Sequence, residues 1–345
     1  MHAGVIEGFY GRSWTHEERL EQIRFLAEHG FDSYWYAPKA CRKLRADWAQ
    51  LFDQDELTRL QELSRACRNA GIAFGVGFSP LGLHDQWPLN KTAETHLLAK
   101  LAQLHSIGID EVGLLFDDMR GDKPNLASLQ LAMVEYLRCS IDVKRWVFCP
   151  TYYSFDPILS EVFGCKPPGY LREIGQGLHS SVDVFWTGEK VISESYSRAH
   201  LEQMAEIFQR KPVLWDNSRV NDGRKTSPFI PLKSMCELAS IMPYVNGLMI
   251  NPMNPPALAR LVLETFKLDG AAEERLKVVL NNQGRALSDA LQCYLRQMTE
   301  VGLERLDDDE RQAMRSCFAN INHPAAREVL DWLGGCYRFD SACLT

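Results

Sequence analysis

From residue 3 to about residue 266 the chain alternates short apolar or β-branched runs with longer windows in which apolar residues return every three or four positions. The short runs predict strands buried on both faces, and the longer windows predict amphipathic helices laid over them. Strands are expected at 3–6, 32–37, 72–78, 112–116, 145–149, 182–186, 213–215 and 247–250. The first helix opens on Thr15 with Glu18 three residues on, a capping box, and carries Leu20, Ile23 and Leu26 as its buried stripe. Further helices are expected near 57–70, 92–105, 126–139 and 198–209, while the stretch after the fifth strand reads as a loop rich in Pro and Tyr. Eight strand–helix units in about 265 residues match the size of a (β/α)8 TIM barrel, which places the chain in the α/β class.

After residue 269 the strand pattern stops and only helical windows remain, at 271–299, 303–319 and 325–333, with Pro324 ahead of the last and Gly334-Gly335 closing it. The expected organisation is a catalytic barrel over 1–268 with a C-terminal α-helical appendage over 269–345. Leu276, Val279, Leu280, Leu287, Leu291 and Tyr294 form stripes on the appendage that the barrel, one another or a second copy in a homodimer must cover.

Composition narrows the class of partner. The 345 residues are 46% hydrophobic and 24% charged, ordinary for a globular chain with a large core. A formal net charge of -7 argues against nucleic acid or an anionic membrane surface as the main partner. No run approaches the ~20 apolar residues of a membrane span. No basic segment followed by an apolar one stands at the amino terminus, so no signal peptide is read and the expected location is the cytoplasm. The ten cysteines are scattered without a CxxC pair or zinc spacing, as expected of reduced core thiols.

Candidate chemistry centres on Gly113-Leu114-Leu115-Phe116-Asp117-Asp118, an apolar run ending in two adjacent carboxylates. In an α/β barrel the carboxyl ends of the strands carry the catalytic groups. Two carboxylates forced together do not ionise independently, which suits one acid and one base. The same residue pair also fits a solvated turn, a helix N-cap or a divalent-metal site. The other strand ends carry aromatic and polar side chains: Glu7-Gly8-Phe9-Tyr10-Gly11-Arg12, Tyr36-Ala37-Pro38-Lys39, Cys149-Pro150-Thr151-Tyr152-Tyr153, Trp186-Thr187-Gly188, Trp215-Asp216-Asn217 with Asp222 behind it, and Asn251-Pro252-Met253-Asn254. Rings that pack on CH faces, beside Asn, Asp and Lys that bind hydroxyls, suit a sugar. No glycine-rich phosphate loop is present.

In this order the motifs resemble those of glycoside hydrolase family 84, the β-N-acetylglucosaminidases that include the protein O-GlcNAcases, and the resemblance covers residues 4 to about 254. It implies a retaining, substrate-assisted mechanism without cofactor or metal, in which the 2-acetamido oxygen of a β-N-acetylglucosaminide attacks the anomeric carbon and gives an oxazoline. It makes Asp117 the carboxylate that orients the acetamide N–H and Asp118 the general acid and then base. It places Gly8, Lys39, Tyr153, Trp215, Asn217, Asp222 and Asn251 around the sugar, with Asp222 and Asn251 on hydroxyls, Asn217 near the acetamide and Tyr153 near the reacting centre. An ionised Asp117 is expected to raise the pKa of Asp118 and keep it protonated. Ser13, Tyr152 and a short loop at 218–225 depart from the family pattern and leave the aglycone open. Rival readings are a metal-dependent barrel hydrolase using Asp117, Asp118 and Asp222, a non-catalytic N-acetylhexosamine-binding barrel, and a Schiff-base role for Lys39.

Overall fold

The structure is a computed structural model and describes residues 2–235, 238–268 and 270–339. Eight parallel strands close into a barrel in chain order: β1 Ala3–Glu7, β2 Ser33–Tyr36, β3 Ala73–Phe78, β4 Glu111–Leu115, β5 Arg145–Cys149, β6 Val182–Trp186, β7 Val213–Asp216 and β8 Gly247–Ile250. The last strand pairs with the first through Ala3 against Leu248, Gly4 against Met249 and Val5 against Ile250. This is the predicted (β/α)8 TIM barrel.

The period of two along each strand sorts the apolar residues into two cores. Ile6, Trp35, Leu115, Val147, Phe185, Val213 and Met249 fill the barrel interior. Val5, Tyr34, Val112, Leu114, Phe116, Phe148 and Leu214 face outward and meet the helices. In β4 the alternation sends Leu115 in and Phe116 out, so Asp117 follows Leu115 to the interior side. Glu7 at the end of β1 points the other way. It is fully buried and accepts from Nε and Nη2 of Arg19, each at 2.8 Å, and from the Tyr34 hydroxyl at 2.6 Å. Breaking such a buried pair by removing one partner costs about 3–5 kcal/mol. Glu7 therefore braces the first strand.

The helices over the barrel are α1 His16–Glu28, α2 Gln54–Ala70, α3 Lys91–Ser106, α4 Leu126–Ser140, α5 Ile158–Phe163, α6 Tyr170–Gly177, α7 Arg198–Phe208, α8 Leu238–Ile241 and α9 Pro256–Glu264. The Thr15–Glu18 capping box opens α1 as expected. A second one, Asp53 with Glu56, starts α2 three residues earlier than its apolar stripe suggested. The supposed loop after β5 holds α5 and α6; Tyr170, Leu171 and Ile174 anchor α6 in the core, a stripe too short to stand out in the sequence. No helix among the described residues is long and apolar enough to cross a membrane.

The appendage consists of α10 Ala272–Asn281, α11 Arg285–Cys293, α12 Asp308–Phe318 and α13 Pro324–Leu333. The single helix expected over 271–299 is broken at Gly284, whose φ of 85° lies in the left-handed region. The helix expected from 303 begins only at 308, where Asp307 and Glu310 form a capping box. Leu276, Val279, Leu280, Leu287 and Leu291 are buried within the single chain, and Tyr294 packs on Phe318. The stripes therefore do not require a second copy to cover them.

The eight described cysteines are free thiols. Cys67 and Cys149 are buried, but Cys139, Cys165, Cys293 and Cys336 are exposed, so the expectation of core thiols holds for only part of the set.

Candidate active site

At the carboxyl end of the barrel the loops enclose a cavity of about 280 Å³. Its lining includes Gly8, Lys39, Asp117, Asp118, Tyr153, Trp215, Asn217, Asp222 and Asn251, so all nine residues singled out in the sequence meet in one place. The volume sits at the small end of ligand pockets and suits one monosaccharide ring rather than a chain. Phe185 and Trp215, with ring centroids 5.1 Å apart, join the pocket to the barrel core below it. Gly8 is needed where it stands. A Cβ there would lie 2.7 Å from the Trp215 ring.

The Asp pair sits in a cradle of cations. Lys39 Nζ lies 2.5 Å from Asp117 Oδ2 and 2.8 Å from Asp118 Oδ2. Arg45 Nη1 donates to the same Asp118 oxygen at 2.7 Å, and the Tyr10 hydroxyl does so at 2.9 Å. Asp117 Oδ1, by contrast, is buried without a hydrogen-bond partner. A buried acceptor with no donor is costly unless a ligand supplies one.

Burial pushes both carboxyls toward higher pKa. For Asp117 burial wins, and Lys39 pulls it back only in part, so its pKa lies above the ordinary value. For Asp118 the Lys39 ammonium and the Arg45 guanidinium outweigh burial and hold it well below the usual carboxylate range. This reverses the sequence-based order, in which Asp117 was to raise Asp118. The cause is the number of donors. Asp118 Oδ2 receives three, Asp117 receives one, and the loop that supplies Arg45 offered no periodicity or motif by which to foresee it.

Lys39 itself is buried, which opposes its charge, but the two carboxylates more than offset this and raise its pKa. A permanently charged ammonium is a poor nucleophile, so the Schiff-base reading loses its chemistry. Among the described residues no three His, Cys, Asp or Glu side chains converge as metal ligands. The Asp pair already binds two organic cations, and Asp222 instead accepts the Tyr10 N–H at 2.9 Å.

On the opposite wall an amide chain fixes the remaining polar groups. Gly8 N–H donates to Asn251 Oδ1 at 3.2 Å, and Asn251 Nδ2 donates to Asn217 Oδ1 at 2.9 Å. Trp215 Nε1 donates to that same oxygen at 2.9 Å, and Asn217 Nδ2 donates to Val191 O at 2.9 Å. Each amide nitrogen carries two hydrogens and spends one in this chain. One N–H of Asn217 and one of Asn251 thus remain for a ligand. Besides the expected residues the cavity is lined by Tyr10, Cys149, Thr187, Val191, Ile192, Val220, Gly223 and Phe339. Tyr10 stands within a motif already noted; Phe339 lies in the appendage, where nothing in the sequence pointed to the site.

Two curated relatives, the protein O-GlcNAcases of Rattus norvegicus and Mus musculus, are each 33% identical to this chain over 259 residues. The match takes in 72% of this chain and 28% of each relative, so the chain spans little more than a quarter of their length. Among solved structures, a mutant of the Thermobaculum terrenum O-GlcNAc hydrolase superposes with a TM-score of 0.75 at 25% identity, covering 97% of this chain and 81% of that one. The profile of the β-N-acetylglucosaminidases matches residues 3–272, which takes in the whole barrel and the seven strand ends that build the pocket; the chain belongs to the β-N-acetylglucosaminidase family.

Proposed function

We propose that the chain is a retaining exo-β-N-acetylglucosaminidase that removes terminal β-linked N-acetylglucosamine by substrate-assisted catalysis. The observation that carries this reading is the buried, unpartnered Oδ1 of Asp117 in a pocket the size of one sugar. An acetamide N–H is the donor that would satisfy it. Accepting that proton's hydrogen bond shifts electron density onto the acetamide oxygen, which attacks the anomeric carbon as the bond to the leaving oxygen breaks. Asp118 gives its proton to the leaving oxygen. Its carboxylate then takes a proton from the water that opens the oxazoline on the vacated face, and two inversions leave the β-anomer.

Asp118 has to be protonated for the first half of this cycle, yet Lys39 and Arg45 favour its ionised form. Sugar hydroxyls that draw Lys39 Nζ toward themselves would remove one of these cations and let the proton in. Asp222 and Asn251 serve the remaining hydroxyls, the spare N–H of Asn217 the acetamide, and Tyr153 the reacting centre. No cofactor enters the scheme.

Two measurements follow. A screen of aryl N-acetyl-β-glucosaminide, N-acetyl-β-galactosaminide and β-glucoside is expected to give turnover of the first and essentially none of the last. Appreciable hydrolysis of the glucoside at this site contradicts the substrate-assisted reading. The second concerns pH. Replacing Arg45 by Gln removes one cation and raises the pKa of Asp118, and because a general acid works in its protonated form, the alkaline limb of kcat/KM moves to higher pH. A limb that stays in place would show that Arg45 does not govern the titration of Asp118.

A further inference from the structure

Every residue that lines the cavity comes from a strand end or loop of the barrel except Phe339, which belongs to the segment after α13. Its place there is built by several contacts. The Phe339 N–H donates to Ser227 Oγ at 3.1 Å, and Ser227 belongs to the turn behind Asp222, where its own N–H donates to Gly223 O at 2.8 Å. Upstream, Trp332 Nε1 donates to Pro228 O at 3.2 Å, Leu303 N–H donates to the same carbonyl at 2.8 Å, and Ile230 N–H donates to Met298 O at 2.9 Å. Both carboxylate oxygens of buried Glu328 accept N–H groups at the start of α9, from Ala257 and Leu258, each at 2.8 Å. The appendage is thus fastened to the β7 loop that carries Asp222 and to the helix that follows β8. It holds a half-buried aromatic residue in the pocket lining, tied through Ser227 to the turn that begins at Gly223, one residue after Asp222.

We infer that Phe339 is a substrate-contacting residue supplied in cis by the C-terminal appendage, and that its ring packs on the apolar edge of the bound sugar on the Asp222 side. The inference rests on the proposed glycosidase reading for the identity of the ligand. The rest of the lining explains why a ring is useful there. Val191, Ile192 and Val220 are the aliphatic members of the lining, and pyranose CH groups need an apolar surface beside the carboxylate that takes the hydroxyls. A polar side chain in this position would leave that edge wet.

The test uses the full chain and the plain monosaccharide, which has no aglycone. For Phe339→Ala the KM for an aryl N-acetyl-β-glucosaminide and the dissociation constant for N-acetylglucosamine, read by calorimetry, are expected to rise together, by about tenfold, the equivalent of about 1.4 kcal/mol. The kcat should stay within about twofold, the melting temperature should hold, and Phe339→Tyr should restore both constants, since a merely structural role would not give that split. Unchanged binding of the monosaccharide by Phe339→Ala overturns the inference, whether or not KM moves. If the unaltered chain neither binds nor hydrolyses N-acetylglucosaminides, it is the glycosidase reading that fails.

Discussion

Replacing Asp118 by Ala is expected to lower kcat/KM by ~10²–10⁴-fold on glycosides with poor leaving groups, where protonation of the leaving oxygen carries the barrier. On activated aryl glycosides the loss should be far smaller. Added azide should accelerate the variant by attacking the oxazoline without needing a base, and should release the glycosyl azide. Asp117→Ala should behave differently. With no acceptor for the acetamide N–H the internal nucleophile is no longer oriented, so attack fails whatever the leaving group and azide has no intermediate to trap. A leaving-group series on both variants separates the two roles, and swapped patterns would mean that the carboxylates are assigned the wrong way round. The geometry gives the contrast its basis: Asp118 is gripped on one oxygen by Lys39, Arg45 and Tyr10, while Asp117 keeps one buried oxygen free.

That grip also shows where the sequence stops being legible. The barrel could be read because its signal is local and repeated. An apolar run such as 112–116 reads as a strand covered on both faces, and eight of them alternating with helical windows match a closed barrel. The site could be read at the strand ends for the same reason, since register carries Gly8, Lys39, Asp117, Trp215, Asn217 and Asn251 to one rim. Arg45 and Phe339 were not legible. Arg45 reaches Asp118 from an irregular loop, and Phe339 arrives from far along the chain by way of contacts to Ser227 and Pro228 that no periodicity encodes. The pKa order of the Asp pair failed with Arg45, because adjacency alone predicts repulsion between two carboxylates and says nothing of cations delivered from elsewhere. The break at Gly284 was visible as a residue, but its helical neighbours outweighed it in a reading by pattern.

The appendage illustrates the same limit in energetic terms. Its stripes could have been covered by a partner, and sequence offers no way to choose. In the structure Leu276, Val279 and Leu291 are buried within one chain, and Glu328 ties α13 to the start of α9. Burial raises the Glu328 carboxyl to about 7, so its ionised form is disfavoured where it stands.

The central claim is that the substrate's own acetamide is the nucleophile, and replacing its methyl hydrogens by fluorine, one at a time, tests this most directly. Each fluorine withdraws electron density from the carbonyl oxygen while leaving the sugar and the leaving group unchanged. For a series of aryl β-glycosides bearing the acetyl, fluoroacetyl, difluoroacetyl and trifluoroacetyl amides, kcat/KM is predicted to fall at every step, the trifluoro compound being slowest by a wide margin. Equal rates across the four would mean that the acetamide oxygen takes no part in breaking the glycosidic bond, and would contradict the account.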